Sequence, residues 1–175
     1  VLRTGLRVAA RTPAGFQLTL TTGEVVACDR LLLATGGNRP NAGLEIAAQM
    51  GHTIEPPVPS LFTFRIRAPR LECLAGVSVE AAGTAVRGLA LRESGPLLVT
   101  HWGLSGPAVL KLSAWGARVL HDCGYRFTLV VNWAPRFTTE TCRAELEQAR
   151  AANPKKQLGT WCPVGLPPRS WETVP

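Results

Sequence analysis

The chain has 175 residues, 46% of them hydrophobic, and a net charge of +7; that length holds one domain, or two small ones, with a buried core. Arginines scattered from Arg3 to Arg169 supply nearly all the charge, and with no run of four basic residues and few aromatics this argues against a nucleic-acid-binding face. No apolar run approaches the roughly twenty residues of a membrane span and no signal-peptide core opens the sequence, so no membrane contact and a cytoplasmic location are expected.

In chain order, Val1 to about Arg11 reads as a strand, and Thr12-Pro13-Ala14-Gly15 turns it into Gly15 to Arg30, which alternates around a turn at Thr22-Gly23 as a hairpin. Leu31-Leu32-Leu33 then reads as a buried strand ending at Ala34-Thr35-Gly36-Gly37. Two readings stand side by side: a central parallel strand presenting its glycine edge to a ligand, and a buried strand followed by an ordinary Gly-Gly turn. A helix is predicted over Asn41 to Met50, with Gly51 as its C′ residue.

Glu55-Pro56-Pro57-Val58-Pro59 is too rich in proline for helix or sheet and reads as a linker. Strands are predicted over Ser60 to Ile66, Gly76 to Glu80, Ala85 to Leu91 and Pro96 to Val99, the pattern of a small barrel or sandwich, with Phe62 and Phe64 read as its core in preference to a stacking platform. Thr100 to Pro107 opens a helix that runs to Cys123-Gly124, with Ser105 as N-cap, and Tyr125 to Trp133 is one more strand. Thr138 or Thr139 caps a last helix, which stops at Asn153-Pro154, and the proline-rich remainder suggests a small, truncated helical subdomain. The fold class is therefore α+β.

Five cysteines lie far apart without a C-x-x-C pair, and the three histidines lack ligand spacing, so no metal site is expected. Thr100-His101-Trp102-Gly103-Leu104-Ser105-Gly106-Pro107 gathers a histidine, an indole and a hydroxyl at a helix start. Such a loop can face a substrate or flavin, with His101 shuttling a proton, or it can be plain structure in which Ser105 caps and Trp102 packs. His52, Glu45 and Glu55 read as surface.

Ala34 to Gly37, Gly51-His52-Thr53-Ile54, Pro59-Ser60-Leu61, Leu74 to Val79 and Thr100 to Pro107 follow one another in an order that resembles the BaiN-like (YhiN-type) family of bacterial NAD(P)/FAD-dependent oxidoreductases; Pro163 to Arg169 with Trp171-Glu172 resembles its late P-x-G-L-P-x-R-x-W-E stretch. Family members with assigned activities include a reductase of steroid-like enones and an aminoacetone-oxidising enzyme, so the resemblance does not name a substrate. Asn38 to Gly43 departs from the longer family loop at the same place, and the G-x-G-x-x-G turn and the family's C-terminal segment are absent. The chain is therefore expected to be an internal, catalytically inactive fragment of a flavoprotein.

The resemblance implies a partial FAD domain over residues 1–57, a β-barrel-like insert over 58–135 and a helical subdomain over 136–175. It implies FAD and NAD(P)H as cofactors of the parent, with Thr35, Gly36 and Gly37 at the FAD and His101 as the catalytic candidate. Thr100, Trp102, Gly103, Ser105 and Gly106 would form a loop facing substrate or flavin. The implied partners are the remainder of the FAD domain and a small-molecule substrate, with no nucleic acid. A non-enzymatic lid or protein-interaction module is the second reading.

Overall fold

The computed structural model describes residues 5–36, 42–157 and 161–172. They fall into two compact units, one ending at Pro57 and one beginning at Val58.

In the first unit, strands β1 (Leu6–Thr12), β2 (Gly15–Leu20) and β3 (Val25–Cys28) form an antiparallel ribbon in that order. Phe16 pairs with Arg11 on one side and Cys28 on the other, the register expected of turns at Pro13-Ala14 and Thr22-Gly23. Helix α1 (Ala42–Gln49) buries Ile46 and packs on β1. It ends as predicted at Gly51, where the Gly51 N–H donates to Ala48 and the His52 N–H to Ala47, the paired bonds of a Schellman motif.

The predicted Leu31 to Leu33 strand is not formed. Residues 31–36 lie outside any strand, and Leu32 is 87% exposed. A central parallel strand needs hydrogen-bonded neighbours on both sides and apolar cover on both faces, and no other strand among the described residues pairs with this stretch.

The second unit is built on a five-stranded, wholly antiparallel sheet, ordered β4-β7-β6-β5-β8. Its strands are β4 (Phe64–Arg65), β5 (Ser78–Val86), β6 (Arg92–Thr100), β7 (Gly103–Ser105) and β8 (Leu129–Asn132). Alternation decides the faces: Leu97 and Val99 of β6 are buried while Leu98 between them is 37% exposed. The buried face receives α3 (Pro107–Trp115) and α4 (Ala117–Asp122) through Ala108, Val109, Leu112 and Leu120, all fully buried. Each leucine so buried stabilises the fold by about 1.5–3 kcal/mol.

Several expectations change here. The single helix predicted from Ser105 to Cys123 is two, broken at Gly116, where a Cβ would run into the Leu91 side chain and lie 2.9 Å from the Leu112 carbonyl. Ser105 ends β7, and Gly106 holds the N-cap position without a side-chain bond. The strand predicted over 60–66 shrinks to Phe64–Arg65, and Ala85 to Leu91 is the end of β5 followed by a turn. The sheet curls as a half-barrel: β4 and β8 remain its two edges, joined by side chains, with the Phe64 and Phe127 rings 5.0 Å apart.

A smaller cluster of Val79, Val164 and Leu166 with Trp133, Phe137 and Trp171 fastens α5 (Thr139–Ala152) and α6 (Pro168–Trp171) to this unit. Thr138 caps α5 in a capping box whose N3 residue is Thr141; each hydroxyl accepts from the other's backbone N–H, at 3.2 and 2.8 Å. Its own backbone N–H first, and the Thr138 hydroxyl second, hold the exposed Glu140 carboxyl below its ordinary pKa. The sign follows: that ionised carboxylate favours the folded state above the unfolded pKa near 4.3, and the contribution is lost as pH falls through the lowered folded value.

Two outcomes are expected. Gly103 sits at φ +153°, and a Cβ there would collide with the Phe64 carbonyl and lie 2.7 Å from the Ile66 nitrogen; Gly103→Ala therefore costs roughly 3 kcal/mol or more in urea unfolding, and a loss under 1 kcal/mol would contradict the packing of β4 on β7. Thr138→Ala costs about 1 kcal/mol and moves the Glu140 titration upward in carboxyl-resolved NMR; an unmoved titration would remove the hydroxyl from the Glu140 carboxylate, and an unchanged stability would remove it from the cap.

Candidate functional site

Thr100 to Pro107 is a hairpin followed by a helix start. Thr100 pairs with Gly103 across a two-residue loop, and its hydroxyl donates to the Gly103 carbonyl at 3.1 Å. His101 and Trp102 occupy the loop itself, both exposed, with ring centroids 6.5 Å apart. Gly103 lets β7 lie directly against β4, and the Trp102 carbonyl accepts from the Ile66 N–H at 2.9 Å.

The three residues of β7 separate the hairpin tip from the helix by roughly 10 Å. His101 and Trp102 therefore project at one end of β7, and only Ser105, half-buried, and Gly106 adjoin the start of α3. The expected gathering of histidine, indole and hydroxyl at the helix start is corrected accordingly. Extended chain carries consecutive residues apart, whereas the expectation was a loop opening directly into the helix.

In the first unit, Thr35 and Gly36 are exposed. A Cβ on Gly43, in the first turn of α1, would collide with the Thr35 side chain, so α1 lies close against it. Gly36 takes φ +75°, and a Cβ built there meets nothing within 4 Å. Such a left-handed backbone is one that glycine adopts without strain. Gly37 lies outside the described residues. His52, Glu45 and Glu55 are exposed.

Among the described residues no three His, Cys, Asp or Glu side chains come together as metal ligands, and no helix is long and apolar enough to cross a membrane. All five cysteines are free thiols.

A cleft that the sequence reading missed lies between the two edges of the half-barrel. It holds about 490 Å³ and is lined by Phe62, Phe64 and Arg65 from one side and by Tyr125, Phe127 and Leu129 from the other. The Phe62 ring stands 5.6 Å from Tyr125, nearly edge-on. The fully buried Ser113 of α3 anchors this wall, its hydroxyl accepting from the Phe62 N–H at 2.9 Å and donating to the Leu110 carbonyl at 2.8 Å. Phe64 is core, as predicted, while Phe62 is half-exposed and faces the cleft. The clue in the sequence is the paired i, i+2 aromatic spacing of Phe62/Phe64 and Tyr125/Phe127, sixty residues apart.

Comparison with known proteins places these features in context. The chain is 36% identical to a ribosomal RNA dihydrouridine synthase of Escherichia coli (strain K12), over 99% of its own length and 42% of the relative's. It is 33% identical to a ribosomal RNA dihydrouridine synthase of Haemophilus influenzae over 76% of its length and 32% of the relative's. It is 29% identical to a 3-dehydro-bile acid delta(4,6)-reductase of Clostridium scindens over 80% of its length and 36% of the relative's. The chain thus spans less than half of each of these enzymes. The sequence model described as HI0933-like protein barrel and H2TH domain matches residues 58–174, the unit of curled sheet and following helices, and the chain belongs to that family.

Proposed function

We propose that this chain is part of an FAD-dependent oxidoreductase that reduces a carbon–carbon double bond conjugated to a carbonyl. One observation carries the reading: relatives with unlike substrates share this chemistry in their names. Dihydrouridine is uridine with two hydrogens added across the ring C5–C6 bond, beside the C4 carbonyl. A delta(4,6)-reductase acting on a 3-dehydro bile acid likewise saturates a double bond conjugated to the 3-oxo group. In both, a hydride adds to a carbon remote from the carbonyl and a proton to a carbon nearer it.

When bound, reduced flavin supplies the hydride, and NAD(P)H restores it. FAD is placed against the exposed left-handed backbone at Gly36, φ +75°. Thr35, Gly36 and Gly37 are the residues proposed to lie against it. His101, at the exposed tip of the β6–β7 hairpin, is the proposed proton donor, since an imidazole can give up a proton to a developing carbanion. Trp102 stands beside it, and Thr100 and Gly103 hold the turn.

In domain terms, residues 1–57 would complete an FAD domain whose remainder is supplied elsewhere in the longer protein, as in the BaiN-like family. Residues 58–135 would be the barrel-like insert and 136–175 the helical subdomain. The substrate we favour is a uracil ring in RNA, after the relative aligned over 99% of the chain. A small-molecule enone without nucleic acid, the expectation from the sequence, is the second reading and is favoured by the bile-acid reductase.

The test uses the longer protein that carries this chain, purified without added cofactor. It is expected to show a flavin spectrum bleached by NADH or NADPH, and to make ribosomal RNA fragments two hydrogens heavier at uridine. His101→Asn should slow substrate reduction roughly a hundredfold or more while leaving bleaching intact. A colourless protein that takes up no FAD would sink the proposal; turnover of a steroid enone but not of RNA would hand it to the second reading.

A further inference from the structure

A lining arginine, left-handed backbone at or beside each wall and a polar anchor converge on the cleft between β4 and β8. We propose that this cleft seats an unpaired nucleotide of an RNA substrate, its base against Tyr125 and Phe62 and its phosphate at Arg65. The identity of the ligand rests on the reading of the parent as a uracil reductase; the cleft itself does not.

Four observations carry the assignment. First, at about 490 Å³ the space falls within the range of small-ligand sites. It is walled by rings that unpaired bases stack on, and Tyr125 is 39% exposed.

Second, among the described residues the two non-glycine positions in left-handed backbone are Leu61 at φ +56° and Tyr125 at φ +58°. One adjoins the cleft wall at Phe62 and the other belongs to it. Such conformations cost free energy and persist where the surroundings impose them, often at binding sites. Here they set the approach of Phe62 and Tyr125 from opposite edges of the sheet.

Third, Phe62 is held by a buried hydroxyl: Ser113, fully enclosed, spends its accepting capacity on the Phe62 N–H and its proton on Leu110. The wall is thus anchored to the core helix at one point rather than merely collapsed against it.

Fourth, the charges suit a phosphodiester. Arg65 lines the cleft, exposed Arg67 and Arg126 directly follow the lining residues Ile66 and Tyr125, and no lining residue is acidic. The ion pair nearby in the chain is His121 with Asp122 at 3.3 Å, the His121 ring lying edge-on to Tyr125. Arg65 is the lining guanidinium, and an RNA strand offers it a phosphate at every step, whereas a bile-acid steroid offers one carboxylate. The outer edges of β4 and β8, unpaired in the sheet, add backbone donors and acceptors for the base edges.

The experiment is fluorescence anisotropy of the longer protein with a labelled single-stranded oligouridylate, at two salt concentrations, with folding of each variant checked by circular dichroism. Tyr125→Ala should weaken binding roughly tenfold to a hundredfold, and Tyr125→Phe should bind as the parent does, since it keeps the ring. Arg65→Glu, at an exposed position that leaves the core untouched, should weaken binding and flatten its salt dependence by about one phosphate contact. A protein that binds no oligouridylate, or variants that all bind it alike, would overturn the proposal; so would a steroid enone bound in place of RNA and lost in Tyr125→Ala. Binding lost in the variants of a protein that forms no dihydrouridine keeps the cleft and sinks the uracil-reductase reading. Dihydrouridine formation with unchanged KM in Tyr125→Ala and Arg65→Glu keeps that reading and sinks the cleft.

Discussion

Burial of α3 against the concave face of the curled sheet is the contact on which the second unit depends. Leu97 and Val99 come from β6, Leu104 from β7, and Val109 and Leu112 from the helix, and water reaches almost none of them. Because side chains alternate along a strand, placing Leu97 and Val99 inward fixes the facing of β6 and, through its pairing, of β5 and β7. The same helix positions Ser113 beneath Phe62. One packed layer thus governs both the core and the wall of the cleft.

Sequence periodicity was informative where structure is local. The turn at Thr22-Gly23, the Schellman end at Gly51 and the cap at Thr138 each depend on residues within five positions of one another, and each was readable. Leu31 to Leu33 shows the limit, since an apolar run states a need for cover but not who provides it. The break at Gly116 was hidden because apolar spacing continues through it, and the Leu91 side chain whose closeness calls for glycine there comes from the β5–β6 connection. For the candidate site, the residue types of the hairpin were legible but not its extended geometry, and the aromatic cleft joins segments sixty residues apart whose meeting depends on how far the sheet curls.

The two units differ in how they satisfy themselves. The second has a continuous core with a subsidiary cluster fastening α5 and α6. Among the described residues the first buries the side chains of Ala9, Leu20 and Ile46, and leaves Leu32 almost wholly in water. A core that small is what the proposal of a ribbon and α1 completing a larger nucleotide-binding domain expects.

The seam of the half-barrel has a mechanical consequence. Hydrogen-bonded strands meet at a spacing near 4.8 Å and in discrete registers, so a barrel closed by such bonds has a set girth. Here Phe64 and Phe127 meet ring to ring, and dispersion contacts of that kind tolerate sliding and tilting with only gradual loss of energy. The seam of this half-barrel is therefore closed by side-chain contact and not by backbone bonds. The lining side chains of such a seam can be exchanged while the backbone bonds of the sheet stay as they are.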